Sequence, residues 1–82
     1  MVHVVLAGAD GREFTGGVGA FDVEATSVRR LILALDQRYP GFGAYIDRRM
    51  AFAIDGVIHQ DAYAEPLAED SEVCLIPKIG GG

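Results

Sequence analysis

"SVRRLILALDQRYPG" (27–41) is the stretch that decides the fold. Val28, Leu31, Ile32, Leu35 and Tyr39 recur at helical spacing and draw one apolar stripe. Thr26 or Ser27 can accept from the first free N–H groups, so either can cap the helix. Pro40 has no N–H to continue it, and Gly41 suits the turn that follows. At about 100° per residue, Leu33 falls off the stripe, among Arg29, Arg30 and Gln37, and is expected at the surface. A helix with one apolar face needs a second layer to cover it.

The flanking segments supply that layer. "VHVVLAG" (2–8) is β-branched, apolar and closed by Gly8, as a buried strand is. "ADGREFTGGVG" (9–19) holds four glycines and an Asp-Gly pair and reads as a loop, with a helical turn around Arg12–Phe14. "AFDVEA" (20–25) alternates apolar and acidic residues and reads as a second strand. Beyond the helix, "GFGAYIDRR" (41–49) is a connection of unassigned shape. "MAFAID" and "VIHQ" flank Gly56 as two short strands. "DAYAEPLAED" (61–70) contains Pro66 and reads as a loop, and "SEVCLIPKI" (71–79) as the last strand. The expected order is β-β-α-β-β-β. So few residues between elements exclude a doubly wound sheet, and Pro66 disfavours the second full helix of a ferredoxin-like fold. The expectation is an α+β, ubiquitin-like β-grasp: a mixed sheet of four or five strands, one main helix on one face, and the first and last strands parallel and central. Residues 1–79 form the domain, and 80–82 a flexible glycine tail.

Composition narrows the function. A net charge of −5 argues against nucleic acid and anionic membranes, which demand clustered Lys and Arg. Half of the residues are hydrophobic, while a chain of this size buries only about 60% of its unfolded surface. Some apolar surface is therefore expected to be left for a partner. Cys74 is the single cysteine, which excludes an internal disulfide, a Cys-based metal cluster and a four-cysteine iron–sulfur site. His3 and His59 lack ligand spacing, and "GGVG" (16–19) lacks the Lys-Ser or Lys-Thr of a phosphate loop. No bound cofactor or metal is expected. "MVHVVLAGAD" has no basic n-region, and its apolar run is too short for a signal peptide or a span. With one cysteine, this places the protein in the cytoplasm.

The chain stops on "IPKIGGG" (76–82). Three glycines after an apolar strand are either an incidental end or the working part. Three stretches decide between them: "TSVRRL…L…RYPGF", "AFAIDG" and "PLAEDSEVCLIPKIGGG". Together they resemble the small subunit of molybdopterin synthase and the related sulfur carrier of thiamine biosynthesis. These are the ubiquitin-like MoaD/ThiS sulfur carriers. Asp70, Glu72, Val73, Pro77 and the Gly81-Gly82 pair match the family's usual ending, and "REFTGG" (12–17) resembles its first connection. Lys78 stands where the molybdopterin branch often has a second proline, and Gly80 adds a third glycine.

The resemblance implies a chemistry. An ATP-using activating enzyme adenylates the Gly82 carboxylate and converts it to a thiocarboxylate. The sulfur is then delivered in the active site of a large subunit like that of molybdopterin synthase. The carrier itself binds no cofactor and is not the enzyme. Gly80, Gly81 and Gly82 have no Cβ to block a narrow channel and can extend over roughly 10 Å. The resemblance also puts Val73 and Leu75 in the core. That leaves Cys74, Ile76 and Lys78 on the open side of the last strand, near whichever of Val4 or Val5 faces outward. With Val5 taken for that place, Ile76, Cys74, Val5 and Lys78 are the expected partner interface. The chain length and the extended segment before the third strand favour the molybdopterin branch. A thiamine-type carrier, a ubiquitin-like modifier conjugated through Gly82 and a plain β-grasp binding domain stay open as alternatives.

Overall fold

A computed structural model of the chain describes residues 1–7, 10–59 and 64–78. Strand β1 (Val2–Leu6) leads through a 3₁₀ turn at Asp10–Glu13 to β2 (Ala20–Val23). Two helices follow, α1 (Val28–Arg38) and α2 (Phe42–Arg49), then β3 (Met50–Ile54), β4 (Val57–His59) and β5 (Glu72–Pro77). The five strands form one sheet in the order β2-β1-β5-β3-β4. β1 and β5 run parallel side by side in its interior, and the other pairs are antiparallel. This is the mixed β-grasp sheet expected from the sequence.

The helix stripe and the strand alternation meet in one core. Val28, Leu31, Ile32 and Leu35 of α1 are buried against Val2, Val4, Leu6, Phe52, Val73 and Leu75 of the sheet. The Ser27 hydroxyl, on extended backbone, accepts from the Arg30 N–H at 3.3 Å, so Ser27 is the cap. Leu33 is exposed, as its place off the stripe predicts. Asp55 and Gly56 both have positive φ, 48° and 88°, the backbone of the two-residue turn that an Asp-Gly hairpin uses. Ile54 and Val57 face each other across it.

The structure corrects one expectation. The connection of unassigned shape, also read as an extended segment before the third strand, is helix α2 from Phe42 to Arg49, so a second helix joins the one expected. Gly41 precedes it at φ 93° and offers no capping side chain. The cap comes from α1 instead: Asp36 Oδ1 accepts from the Gly43 N–H at 2.9 Å and the Gly41 N–H at 3.2 Å. Phe42 and Ile46, four apart, are both fully buried and anchor α2 to the core. The Phe42 ring stacks on Phe14 with centroids 5.2 Å apart, which ties the first loop to α2.

Candidate functional site: the end of β5 and the open face of the sheet

β5 carries the chain toward the glycine tail, and its end is built from three neighbours. On one side the last β1–β5 partners are Leu6 and Leu75, with the Ala7 N–H donating to the Leu75 carbonyl at 2.9 Å. On the other side β3 begins at Met50, opposite Pro77. One residue further, the Lys78 N–H donates to the Arg49 carbonyl at 2.9 Å. By alternation, the N–H that Pro77 lacks would face the β1 side, where the described pairing has already stopped. The proline therefore stiffens the exit at the cost of no described ladder bond. Lys78 adds a second tie: its Nζ donates to the Asp47 carbonyl at 2.9 Å. Asp47 and Arg49 lie in the last turn of α2, whose carbonyls have no partner within the helix.

The face of the sheet turned away from the helices carries a cross-strand row. Ala20, Val5, Cys74, Ala53 and Ile58 are successive partners across β2, β1, β5, β3 and β4. The row is wholly apolar apart from the thiol. Val5, Cys74 and Ala53 are half-buried, and Ala20 and Ile58 are exposed, Ile58 at 61%. Toward the strand exit, Ile76 sits opposite Ala51; Ile76 is half-buried and Ala51 buried. In the other direction the surface turns polar. His3 lies opposite Asp22 and Glu72, with His3 Nδ1 3.0 Å from Asp22 Oδ1. Asp55 and Glu72 exchange two further bonds, N–H to carbonyl and N–H to carboxylate, each 2.9 Å.

Val73 and Leu75 are fully buried on the helix side, as expected. Val5 is the outward residue of β1, and Val4 is buried. Val5 and Cys74 are direct partners, and Ile76 lies on the same face two residues along. All three are half-buried, not fully open. Lys78 is exposed and bound to α2. The tail residues Gly80, Gly81 and Gly82 lie outside the described residues, as does Ile79. The sequence reading missed Ala53 and Ile58, which complete the row; the alternation in "MAFAI" and the Asp-Gly register carried that signal. It also missed the α2 carbonyls that receive Lys78, since α2 itself was unassigned. Among the described residues, no helix is long and apolar enough to cross a membrane.

The ThiS family matches residues 9–82 of the chain. No curated protein sequence matches. Three solved structures show the same fold at low identity. A chain of the Amycolatopsis orientalis BexX/CysO complex is 17% identical, with a TM-score of 0.84 over 100% of both chains. Small archaeal modifier protein 1 of Methanosarcina acetivorans is 22% identical, with a TM-score of 0.78 over 99% of this chain and 95% of that one. The complex of subunits 1 and 2 of the Helicobacter pylori molybdopterin-converting factor contains a chain that is 22% identical, with a TM-score of 0.69, over 99% of this chain and 97% of that one. The match covers nearly the whole chain, glycine tail included, and the topology agrees with it: this chain belongs to the ThiS family of sulfur carriers, on a ubiquitin-like β-grasp fold.

Proposed function

We propose that the chain carries sulfur on its C-terminal glycine. The Gly82 carboxylate attacks the α-phosphorus of ATP in an activating enzyme, forming an acyl-adenylate and releasing pyrophosphate. A hydrosulfide equivalent held by that enzyme displaces AMP and leaves a thiocarboxylate. In a second partner the thiocarboxylate sulfur bonds to an electrophilic carbon of the acceptor, and water then cleaves the acyl–sulfur bond, which leaves the sulfur on the acceptor and restores the Gly82 carboxylate. The carrier contributes the acyl group and its presentation, and the partners supply orientation and charge stabilisation. One observation supports this most: the family match runs to residue 82, through the glycines that follow an interior strand of the sheet.

The acceptor proposed is a molybdopterin precursor, in the active site of a large subunit that receives the tail. The likeness to a molybdopterin-converting factor of two subunits favours it. The row Val5–Cys74–Ala53 with Ile76 is the surface proposed to meet that subunit, because it is apolar and adjoins the strand exit. A second reading has its own observation, the likeness to a small archaeal modifier protein. In that reading the activated Gly82 ends in an amide with a target lysine.

Deleting Gly82 tests the acyl site. ATP–pyrophosphate exchange with the cognate activating enzyme is expected to vanish while the circular dichroism of the carrier stays unchanged. Undiminished exchange after the deletion would sink the proposal. Intact mass of protein purified from its native cell separates the two readings. One oxygen replaced by sulfur at the C-terminus marks the carrier, and a branched conjugate marks the modifier.

A further inference from the structure

β5 runs two residues past its last described β1 partner. Its described β1 partners end at Leu6, and its β3 partners end at Met50 opposite Pro77. The placement of Lys78, the last described residue, is therefore set by what holds it. Lys78 is held twice, through its N–H on the Arg49 carbonyl and its Nζ on the Asp47 carbonyl, both at 2.9 Å. Both acceptors belong to the last turn of α2, where a positive charge also lies at the negative end of the helix dipole. The anchor is firm, because Phe42 and Ile46 root α2 in the core at 0% exposure. Lys78 is the only lysine in the chain, and the other six cationic residues are arginines. A compact ammonium can serve a single carbonyl, whereas a guanidinium fork is shaped for two-oxygen acceptors.

We propose that Lys78 is the positioning residue of the glycine tail: by tying its main chain and its ammonium to the last turn of α2, it fixes the point from which the last four residues of the sequence start. This rests on the reading of Gly82 as the acyl site. Four residues follow the clamp, a reach of roughly 13–14 Å when extended. With the clamp open, the root of that leash retreats to Pro77, five residues follow it instead of four, and Gly82 is spread over a larger volume. Fewer docked carriers then present Gly82 to the reacting phosphorus, so the transition state becomes harder to reach from free carrier.

Lys78→Met keeps the aliphatic stem and removes the donor, and Lys78→Arg restores a donor. The measurement is ATP–pyrophosphate exchange by the activating enzyme against carrier concentration, at low and high salt. Thermal melting and deuterium exchange at the residue-78 amide accompany it. For Lys78→Met, kcat/KM for the carrier is expected to fall roughly fivefold, the factor that corresponds to one lost hydrogen bond. Lys78→Arg recovers part of the loss, since it restores a donor whose fork is less suited to a single carbonyl. The melting temperature stays at the parent value, and the residue-78 amide exchanges faster in the Met variant. The loss is equal at both salt concentrations, because the broken contact lies inside the carrier. A direct charge contact with the partner would instead be screened. Parental kcat/KM in the Met variant overturns the positioning role while leaving the acyl site standing, and so does a loss that disappears at high salt. A parent protein that supports no exchange at all overturns the acyl-site reading and this proposal with it.

Discussion

The two faces of the same strands differ in what covers them. On the helix side, Val4, Leu6, Val73 and Leu75 are at most 1% exposed. One residue along each strand, Val5, Cys74 and Ile76 turn the other way and are half-buried. The core face uses bulky branched residues that interlock with α1. The opposite face uses alanines, a valine, a cysteine and isoleucines, which form an apolar band on the side away from α1. Both faces carry an apolar row, so hydrophobicity alone does not distinguish core from contact surface. What distinguishes them is the layer each one meets.

The largest effect is expected where that layer is already in place. Leu75 has no exposure and lies between Leu6 of β1 and Phe52 of β3. Leu75→Ala deletes three carbons from a packed site and is expected to cost about 2–5 kcal/mol of stability. Against a total of about 5–15 kcal/mol for a domain, that brings the protein close to unfolding at physiological temperature. Urea denaturation of parent and variant measures it. A cost below about 1 kcal/mol would mean that the strand's inner face is not the core.

Much of this contrast was legible in the sequence, for physical reasons that differ by element. α1 announced itself because its cap, its stripe and its stop signals all lie in its own sequence: Ser27, Val28 to Leu35, and Pro40-Gly41. α2 did not, because its N-terminal N–H groups are satisfied by Asp36 from the preceding helix, and its first turn reads Gly-Phe-Gly. Local rules see glycines there and predict a loop. The i, i+4 pair Phe42 and Ile46 was the one available sign of a helix. At the candidate site, alternation gave the faces of β5 once Val73 was placed inside. The β3 partner of Cys74 and the α2 partners of Lys78 were invisible, because cross-strand register and helix-terminal carbonyls are long-range facts. The Cys74–Ala53 pair spans β5 and β3, and the Lys78–Asp47 bond joins a strand end to a helix end.

The next effect falls on the open face. Ile76 lies opposite Ala51, next to the strand exit, and is half-buried. Ile76→Glu places a carboxylate where the partner subunit is proposed to exclude water. Such a charge is costly without a partner of its own. Binding to the large subunit is expected to weaken at least tenfold, or about 1.4 kcal/mol, while the free domain keeps its circular dichroism spectrum. Titration calorimetry against the large subunit reads the first quantity. If the variant unfolds, the two faces are less different than their exposures suggest. If it folds and binds like the parent, contact is made elsewhere, and Leu33, exposed on α1, becomes the position to test.

The smallest effect concerns why one face is a core at all, which depends on both helices staying in place. Asp36 Oδ1 accepts two N–H bonds from the start of α2, one from Gly43 and one from Gly41. A carboxylate there also lies at the positive end of the helix dipole. Asp36→Ala removes acceptor and charge together, and a lost cap of this kind costs about 0.5–2 kcal/mol. Asp36→Asn keeps an oxygen acceptor and gives up only the charge, so its cost is expected to be the smaller of the two. Neither change should unfold the domain, since Phe42 and Ile46 continue to hold α2 by burial. The effect should be local: in Asp36→Ala the Gly43 amide exchanges with deuterium faster than in the parent, while the amides of the β1–β5 ladder keep their protection. Equal exchange at Gly43 in all three proteins would show that burial alone fixes the start of α2. In that case the bond from α1, though well formed, adds nothing to the layer that turns one face of the sheet into the core.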